Sequence, residues 1–151
     1  MEWRWKRFNE LELIELYSIL QLRERVFVVE QACVYLDCDG LDPKAWHLCG
    51  YQDDQLHAYL RVFPPNIKYK ELSIGRVVTA REVRKSGLGK SLLTQALSKI
   101  QETFGESAIR ISAQAHLEKF YENFEFRRQG NEYLEDNIPH IEMLRSIKKS
   151  S

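Results

Sequence analysis

The chain has 151 residues, enough for one domain with a sizeable core. Its 22 Lys and Arg balance its 22 Asp and Glu, so no global field favours nucleic acid or an anionic membrane. No apolar run approaches the ~18 residues of a membrane span, and no signal peptide is read at the start, so a cytoplasmic setting is expected. Cys33, Cys38 and Cys49 are odd in number and lack zinc-type spacing, which fits reduced thiols.

In chain order, Trp3 and Trp5 alternate with charged neighbours and predict a first strand. Asn9 with Glu12 resembles a capping box, and Leu13, Leu16, Tyr17 and Leu20 repeat at helical spacing, so a helix is expected from about Leu11 into the twenties. Val26 to Val29 is β-branched and reads equally as helix end or extended chain. Gln31 to Trp46 is irregular and acidic. His47–Tyr51 and Gln55–Phe63 predict a hairpin around Gln52-Asp53-Asp54, and Pro64-Pro65-Asn66 ends it. Leu72–Thr79 is a further strand. After Gly89, apolar residues at Leu92, Leu93, Ala96, Leu97, Ile100 and Phe104 mark a long amphipathic helix. Ala108–Ala113 is a strand, Leu117–Phe124 a helix, and Phe126–Ile147 two closing strands around Asp136-Asn137-Ile138-Pro139. The fold class is therefore α/β, a mixed sheet flanked by helices in a single domain over 1–147. The polar tail 148–151 is expected to fray.

The most informative stretch joins the strand ending at Thr79 to the long helix. It holds Gly87 and Gly89 among the cations Arg81, Arg84, Lys85 and Lys90. The first turn of a helix has backbone N–H groups without partners, its dipole is positive there, and glycine lets phosphates approach closely. The dinucleotide fingerprint G-x-G-x-x-G fails, because Leu92 replaces its third glycine. The P-loop pattern matches Gly89-Lys90-Ser91 but has Arg84 at its first glycine. The pattern [R/Q]-x-x-G-x-G fits Arg84, Gly87 and Gly89 without departure.

Arg84-x-x-Gly87-x-Gly89 between strand and helix resembles the coenzyme A pyrophosphate loop of the GNAT N-acetyltransferases. Gln114 to Phe126, with Phe120-Tyr121 on a helix and Phe126 beyond, is similar to the second signature of that family. Leu22-Arg23, Val26 to Gln31 and the acids Asp37, Asp39 and Asp42 resemble its ElaA-like branch, as does Ile138-Pro139-His140-Ile141. The resemblance implies the GNAT fold and transfer of an acetyl group from acetyl-CoA to a primary amine by direct attack. The pantetheine arm would meet the backbone of Val77, Val78 and Thr79. The pyrophosphate would meet the loop Arg84, Lys85, Ser86, Gly87, Leu88, Gly89 and Lys90. Gln114 stands where many members carry an asparagine that reaches the cofactor, and Tyr121 matches the general acid that protonates the departing thiolate. Two positions depart from the family pattern. Glu125 replaces a glycine, which should disfavour a left-handed residue there, and Arg81 replaces a proline before the loop.

A base must take a proton from the incoming ammonium. Glu30 and His116 are the candidates, with His47, His140 or a water chain as alternatives. Glu30, Asp37, Asp39 and His140, together with Asp42, Glu135 and Asp136, suit a cationic acceptor by charge complementarity. That acceptor is expected to be a polyamine-like molecule or a peptide lysine or N-terminus. No metal is expected, although Cys33, Cys38, Cys49 and His47 make a four-ligand set on paper. No nucleic acid or membrane partner is expected, and aromatic-rich surfaces leave room for a homodimer. A coenzyme A module without turnover, acting as sensor or interaction partner, is the alternative. A P-loop hydrolase is weaker still, for want of a magnesium-binding Asp after a strand.

Overall fold

The computed structural model of the chain describes residues 1–147, so the expected tail at 148–151 lies outside the described residues. Strands β1 (Glu2–Arg7), β2 (Trp46–Gln52), β3 (Gln55–Phe63) and β4 (Ser73–Thr79) form one antiparallel sheet in that order. The β2–β3 hairpin closes on Asp53 and Asp54, whose φ of 52° and 60° give the twist that two-residue hairpins need. Both faces of β3 are buried, which is why its sequence reads as a nearly continuous apolar run. Ala58, Leu60 and Val62 face helix α2 (Leu88–Phe104). Tyr59 joins Cys49, Tyr51 and Val78 against helix α1 (Leu13–Arg23) on the opposite face. Cys49 is packed there as a small apolar group, and burial pushes its thiol up to about 12.

The α1 start differs from expectation. The Glu12 N–H is capped by Glu15 Oε1 at 2.8 Å, and the Arg7 N–H by Glu10 Oε1 at 2.9 Å, so Asn9 caps neither turn. Glu15 wins because Lys6 and Arg4 also reach it, at 2.8 and 3.2 Å, and hold its carboxylate in place. At its far end α1 continues as a π-helix over Glu24–Glu30, which resolves the ambiguous valine run. The wider turns end on Gln31 N–H to Val26 O at 3.1 Å and Cys33 N–H to Val28 O at 3.0 Å.

The irregular segment after it is held by charge. Arg23 donates to Asp37 Oδ2 at 2.9 Å, to Asp42 Oδ1 at 2.8 Å and to the Asp37 carbonyl at 2.8 Å. Arg61 on β3 reaches Asp42 at 2.7 Å and Asp39 at 2.9 Å, and Arg76 on β4 pairs with Asp37 at 2.8 Å. Tyr35 closes the cage with a 2.7 Å hydrogen bond to Asp37. Three arginines thus balance three aspartates across α1, β3 and β4 and fix a loop that has no ladder of its own.

The second sheet carries β5 (Ile109–Gln114), β6 (Arg127–Arg128), β7 (Tyr133–Glu135) and β8 (Ile138–Arg145), with β8 paired to all three. Three strands, two of them short, close the chain instead of the expected two. Asp136-Asn137 is a two-residue turn with φ of 50° and 63°, not a longer loop. The two sheets meet where Leu72 and Ile109 form a single parallel bridge, with Arg110 N–H to Leu72 O at 2.8 Å. Arg110 fastens that base by bonds to Glu71 at 2.9 Å and Glu142 at 3.0 Å. Beyond it β4 and β5 part like a fork.

Helix α3 (Glu118–Glu122) follows a single 3₁₀ turn at Ala115–Leu117. Glu125 was expected to disfavour a left-handed conformation, yet its φ is 71°. The Phe126 N–H bonds back to Tyr121 O at 3.2 Å, and Phe126 is fully buried with its ring 5.8 Å from that of Tyr121. This is the six-to-one bond and apolar clasp of a Schellman ending. Burying a phenylalanine stabilises by ~1.5–3 kcal/mol, which offsets the ~1–2 kcal/mol of a left-handed non-glycine residue.

Candidate active site

The fork between β4 and β5 encloses a cavity. Ile74, Arg76 and Val77 line one wall and Ile111, Ala113 and Gln114 the other. A β-bulge shapes the first wall: Arg76 and Val77 together oppose Leu60 of β3, and Arg76 has φ 50°. A bulge leaves backbone groups out of the ladder and re-aims side chains. Here Arg76 meets the aspartate cage, pairing with Asp37 at 2.8 Å. Val78 packs its side chain into the α1 core, so only its backbone is available, and Thr79 O accepts from Arg84 at 3.2 and 3.3 Å.

Tyr121 lines the inner part of this cavity and is buried. Its ring is held edge-on by Phe120 and Phe126, at 5.2 and 5.8 Å between centroids, while its hydroxyl has no hydrogen-bond partner among the described residues. Burial alone pushes the phenol well above its ordinary value, so it stays protonated at neutral pH. Gln114 also lines the cavity, with its amide 3.5 Å from Gln31 Oε1.

The glycine loop opens α2 next to the fork. Gly87, with φ 83°, is the residue before the first helical turn, in a conformation that glycine adopts without penalty. The first bond of the helix runs from Ser91 N–H to Gly87 O at 3.2 Å, so the N–H groups of Leu88, Gly89 and Lys90 have no intrahelical acceptor. No side chain caps them and no acid sits in that turn. Ser86 precedes the N-cap, and its hydroxyl donates back to Val83 O. An added Cβ at Gly89 would lie 3.7 Å from Phe120, an ordinary contact, so the packing of the free protein does not demand glycine there. Lys85 and Lys90 are exposed. Arg81, in place of a proline, begins a 3₁₀ turn that ends at Val83.

The remaining expected site residues fall into two groups. Glu30 pairs with Arg84 and does not line the cavity; that guanidinium holds its carboxyl below the usual range, which makes it a poor base. His116 is exposed on the 3₁₀ turn and also lies off the cavity. Asp37 and Asp39, with Asp42, are engaged by Arg23, Arg61 and Arg76, so the acidic stretch is not a rim that greets a cationic substrate. His47 is buried, with Nε2 donating to Asp42 O at 3.0 Å and Nδ1 accepting from Tyr59 at 2.6 Å. Burial lowers its pKa and both nitrogens are taken, so it is structural.

His140 does line the cavity, as do Glu135 and Asp136. Its Nδ1 donates to Ile138 O at 2.7 Å, which leaves Nε2 as the reactive nitrogen, 3.3 Å from Glu135. Tyr133 stacks on the imidazole at 6.3 Å. Phe27, Gln31, Cys33, Tyr35, Lys68 and Arg76 line the cavity without having been read from the sequence. The placement of all but Lys68 depends on the π-helix and the segment after it, the bulge and the arginine cage, none of which has a local sequence signal. Cys33 Sγ donates to Asp136 O at 3.4 Å and ties the segment after the π-helix to the β7–β8 turn. Among the described residues no group of three or more His, Cys, Asp or Glu is placed to hold a metal ion.

Residues 28–147 match the family model described as an acetyltransferase (GNAT) domain. A UPF0039 protein of Synechocystis sp. is 43% identical over 145 residues, covering 95% of this chain and 94% of its own. The crystal structure of an acyl-CoA N-acyltransferase from Pseudomonas aeruginosa superposes with a TM-score of 0.92 at 42% identity, covering 97% of this chain and all (100%) of its own. That of Escherichia coli ElaA gives 0.90 at 37% identity, covering 96% of this chain and 99% of its own.

Proposed function

The chain belongs to the GNAT acetyltransferase family and is an acyltransferase, and we propose that it moves the acetyl group of acetyl-CoA to a primary amine by direct attack. The observation that carries this reading is the hydroxyl of Tyr121, without a hydrogen-bond partner among the described residues, in a fork whose β4 arm runs on through the glycine loop to an uncapped helix N-terminus. The N–H groups of Leu88, Gly89 and Lys90 would take the pyrophosphate, with Lys85 and Lys90 adding charge. The main chain at Val77 would take the pantetheine arm, and Gln114 offers an amide to the same ligand.

The chemistry then needs one base and one acid. His140 is the base this geometry favours over Glu30 or His116. Its Nδ1–H is fixed on Ile138 O, which leaves Nε2, 3.3 Å from Glu135 Oε2, as the nitrogen that takes the proton. The amine attacks the thioester carbonyl, the carbon–sulfur bond breaks, and Tyr121 donates its proton toward the departing sulfur. Burial raises the proton affinity of a thiolate as it does that of the phenol, so donor and acceptor stay matched.

Thermal unfolding with acetyl-CoA, CoA or ATP–magnesium tests the reading. Saturation at 100 times the dissociation constant stabilises by about 2.7 kcal/mol, a rise in Tm of roughly 5–10 °C for a domain of this size. A rise with acetyl-CoA and CoA but not with ATP–magnesium is expected. No rise with acetyl-CoA would overturn the cofactor assignment; a rise without turnover of any amine would return the non-catalytic module.

Gly89→Ala separates the loop from the fold. Because only ordinary contact awaits the new methyl and alanine favours helix, Tm without ligand should hold or rise slightly. The shift given by acetyl-CoA should shrink, since the methyl stands where phosphate oxygens approach the backbone. Equal loss in both measurements would assign Gly89 to the fold instead.

A further inference from the structure

The charges lining the cavity are unevenly engaged. Arg76 is neutralised by Asp37 and Asp39, and His140 faces Glu135. Lys68 and Asp136 line the same cavity, and neither side chain forms an ion pair among the described residues. Lys68 comes from the segment between β3 and β4, and Asp136 from the turn between β7 and β8. One cation, whose Nζ lies 6.0 Å from the centroid of the Tyr69 ring, and one acid, both exposed and neither in an ion pair among the described residues, thus reach the cavity from separate elements. Glu135 adds a second carboxylate near the acid.

We propose that the acceptor is an amine that carries its own carboxylate, of the amino-acid type, with its ammonium toward Glu135, Asp136 and His140 and its carboxylate toward Lys68. This rests on the acetyl-transfer reading of the same cavity. Charge accounting selects the class. A polycation would bring like charge to Lys68, and Asp37, Asp39 and Asp42, which could have held further ammonium groups, are engaged by Arg23, Arg61 and Arg76. A simple monoamine would leave Lys68 without a counter-charge in the complex. An acceptor bearing both signs answers both walls and sets its nitrogen beside the Nε2 of His140.

The test follows CoA release with acetyl-CoA and matched acceptors: α-amino acids, their amides, the corresponding decarboxylated amines, and spermidine. The expected result is a kcat/KM about tenfold higher for the amino acid than for its amide, the size of one charge-assisted hydrogen bond. Lys68→Ala should bring that ratio close to one, and the acetyl-CoA thermal shift of the variant reports an intact cofactor site. Turnover that favours amides, decarboxylated amines or spermidine would overturn this inference and leave acetyl transfer standing. A ratio unchanged by Lys68→Ala would remove Lys68 from the recognition. Failure of every amine would take both readings down together.

Discussion

Tyr121→Phe is expected to lower kcat by about two orders of magnitude, the usual contribution of a placed general acid, while KM for acetyl-CoA and Tm stay nearly constant. The separation follows from the surroundings of the side chain. The contacts that hold it are to its ring, edge-on to Phe120 and Phe126 at 5.2 and 5.8 Å, and phenylalanine keeps them. The hydroxyl has no partner among the described residues, so its loss orphans no donor or acceptor. Burial keeps the phenol protonated, so wild-type kcat should not fall at mildly alkaline pH through loss of this proton. Steady-state kinetics beside a melting curve make the check. A kcat within about threefold of wild type would reassign proton delivery to water.

Arg23→Ala is expected to cost ~3–5 kcal/mol, because it strips a buried ion network of one partner and leaves Asp37 and Asp42 facing a vacancy. For a domain of this length that is a fall in Tm of roughly 6–20 °C. The wild-type network also sets an acid limit. Burial by itself would raise the Asp39 and Asp42 carboxyls, but the hydrogen bonds and charges of the arginines prevail and hold both below the usual range. A carboxyl depressed in the folded state contributes stability above its unfolded pKa of ~3.9 and loses it as pH falls. Stability from these groups should therefore be complete at neutral pH and decline below about pH 4. The Arg23→Ala variant should show a shallower acid slope. Melting at pH 7 and pH 3 would check both, and a neutral-pH loss under about 1 kcal/mol would mean that the aspartates find water when the arginine leaves.

Features written in local chemistry were legible in the sequence. The Asp53-Asp54 hairpin, the amphipathic α2 and the Arg84–Gly89 loop each carry their instruction in adjacent residues or a fixed period. So did membership of the family. Charge was harder to read. Composition presents Asp37, Asp39 and Asp42 as an acidic rim, and only the fold brings Arg23, Arg61 and Arg76, from three separate elements, onto them. Glu125 shows the same limit on a smaller scale: backbone preference argues against its conformation, and burial of the next residue overrides it. The bulge at Arg76 and the π-turns before Gln31 depend on register against neighbouring elements, which no single stretch records.

The fork has one more consequence, for solubility. An unpaired strand edge on the outside of a protein is a template for another chain. Here β4 and β5 part beyond a single bridge and line one cavity, with Phe27 of the π-helix and the β7–β8 hairpin among its walls. Incoming strands meet side chains before they meet free N–H and C=O groups. The hydrogen-bonding capacity that would make an exposed edge aggregate is thereby reserved for something slender enough to enter. A truncation that removed the hairpin is expected to uncover it as a sticky edge.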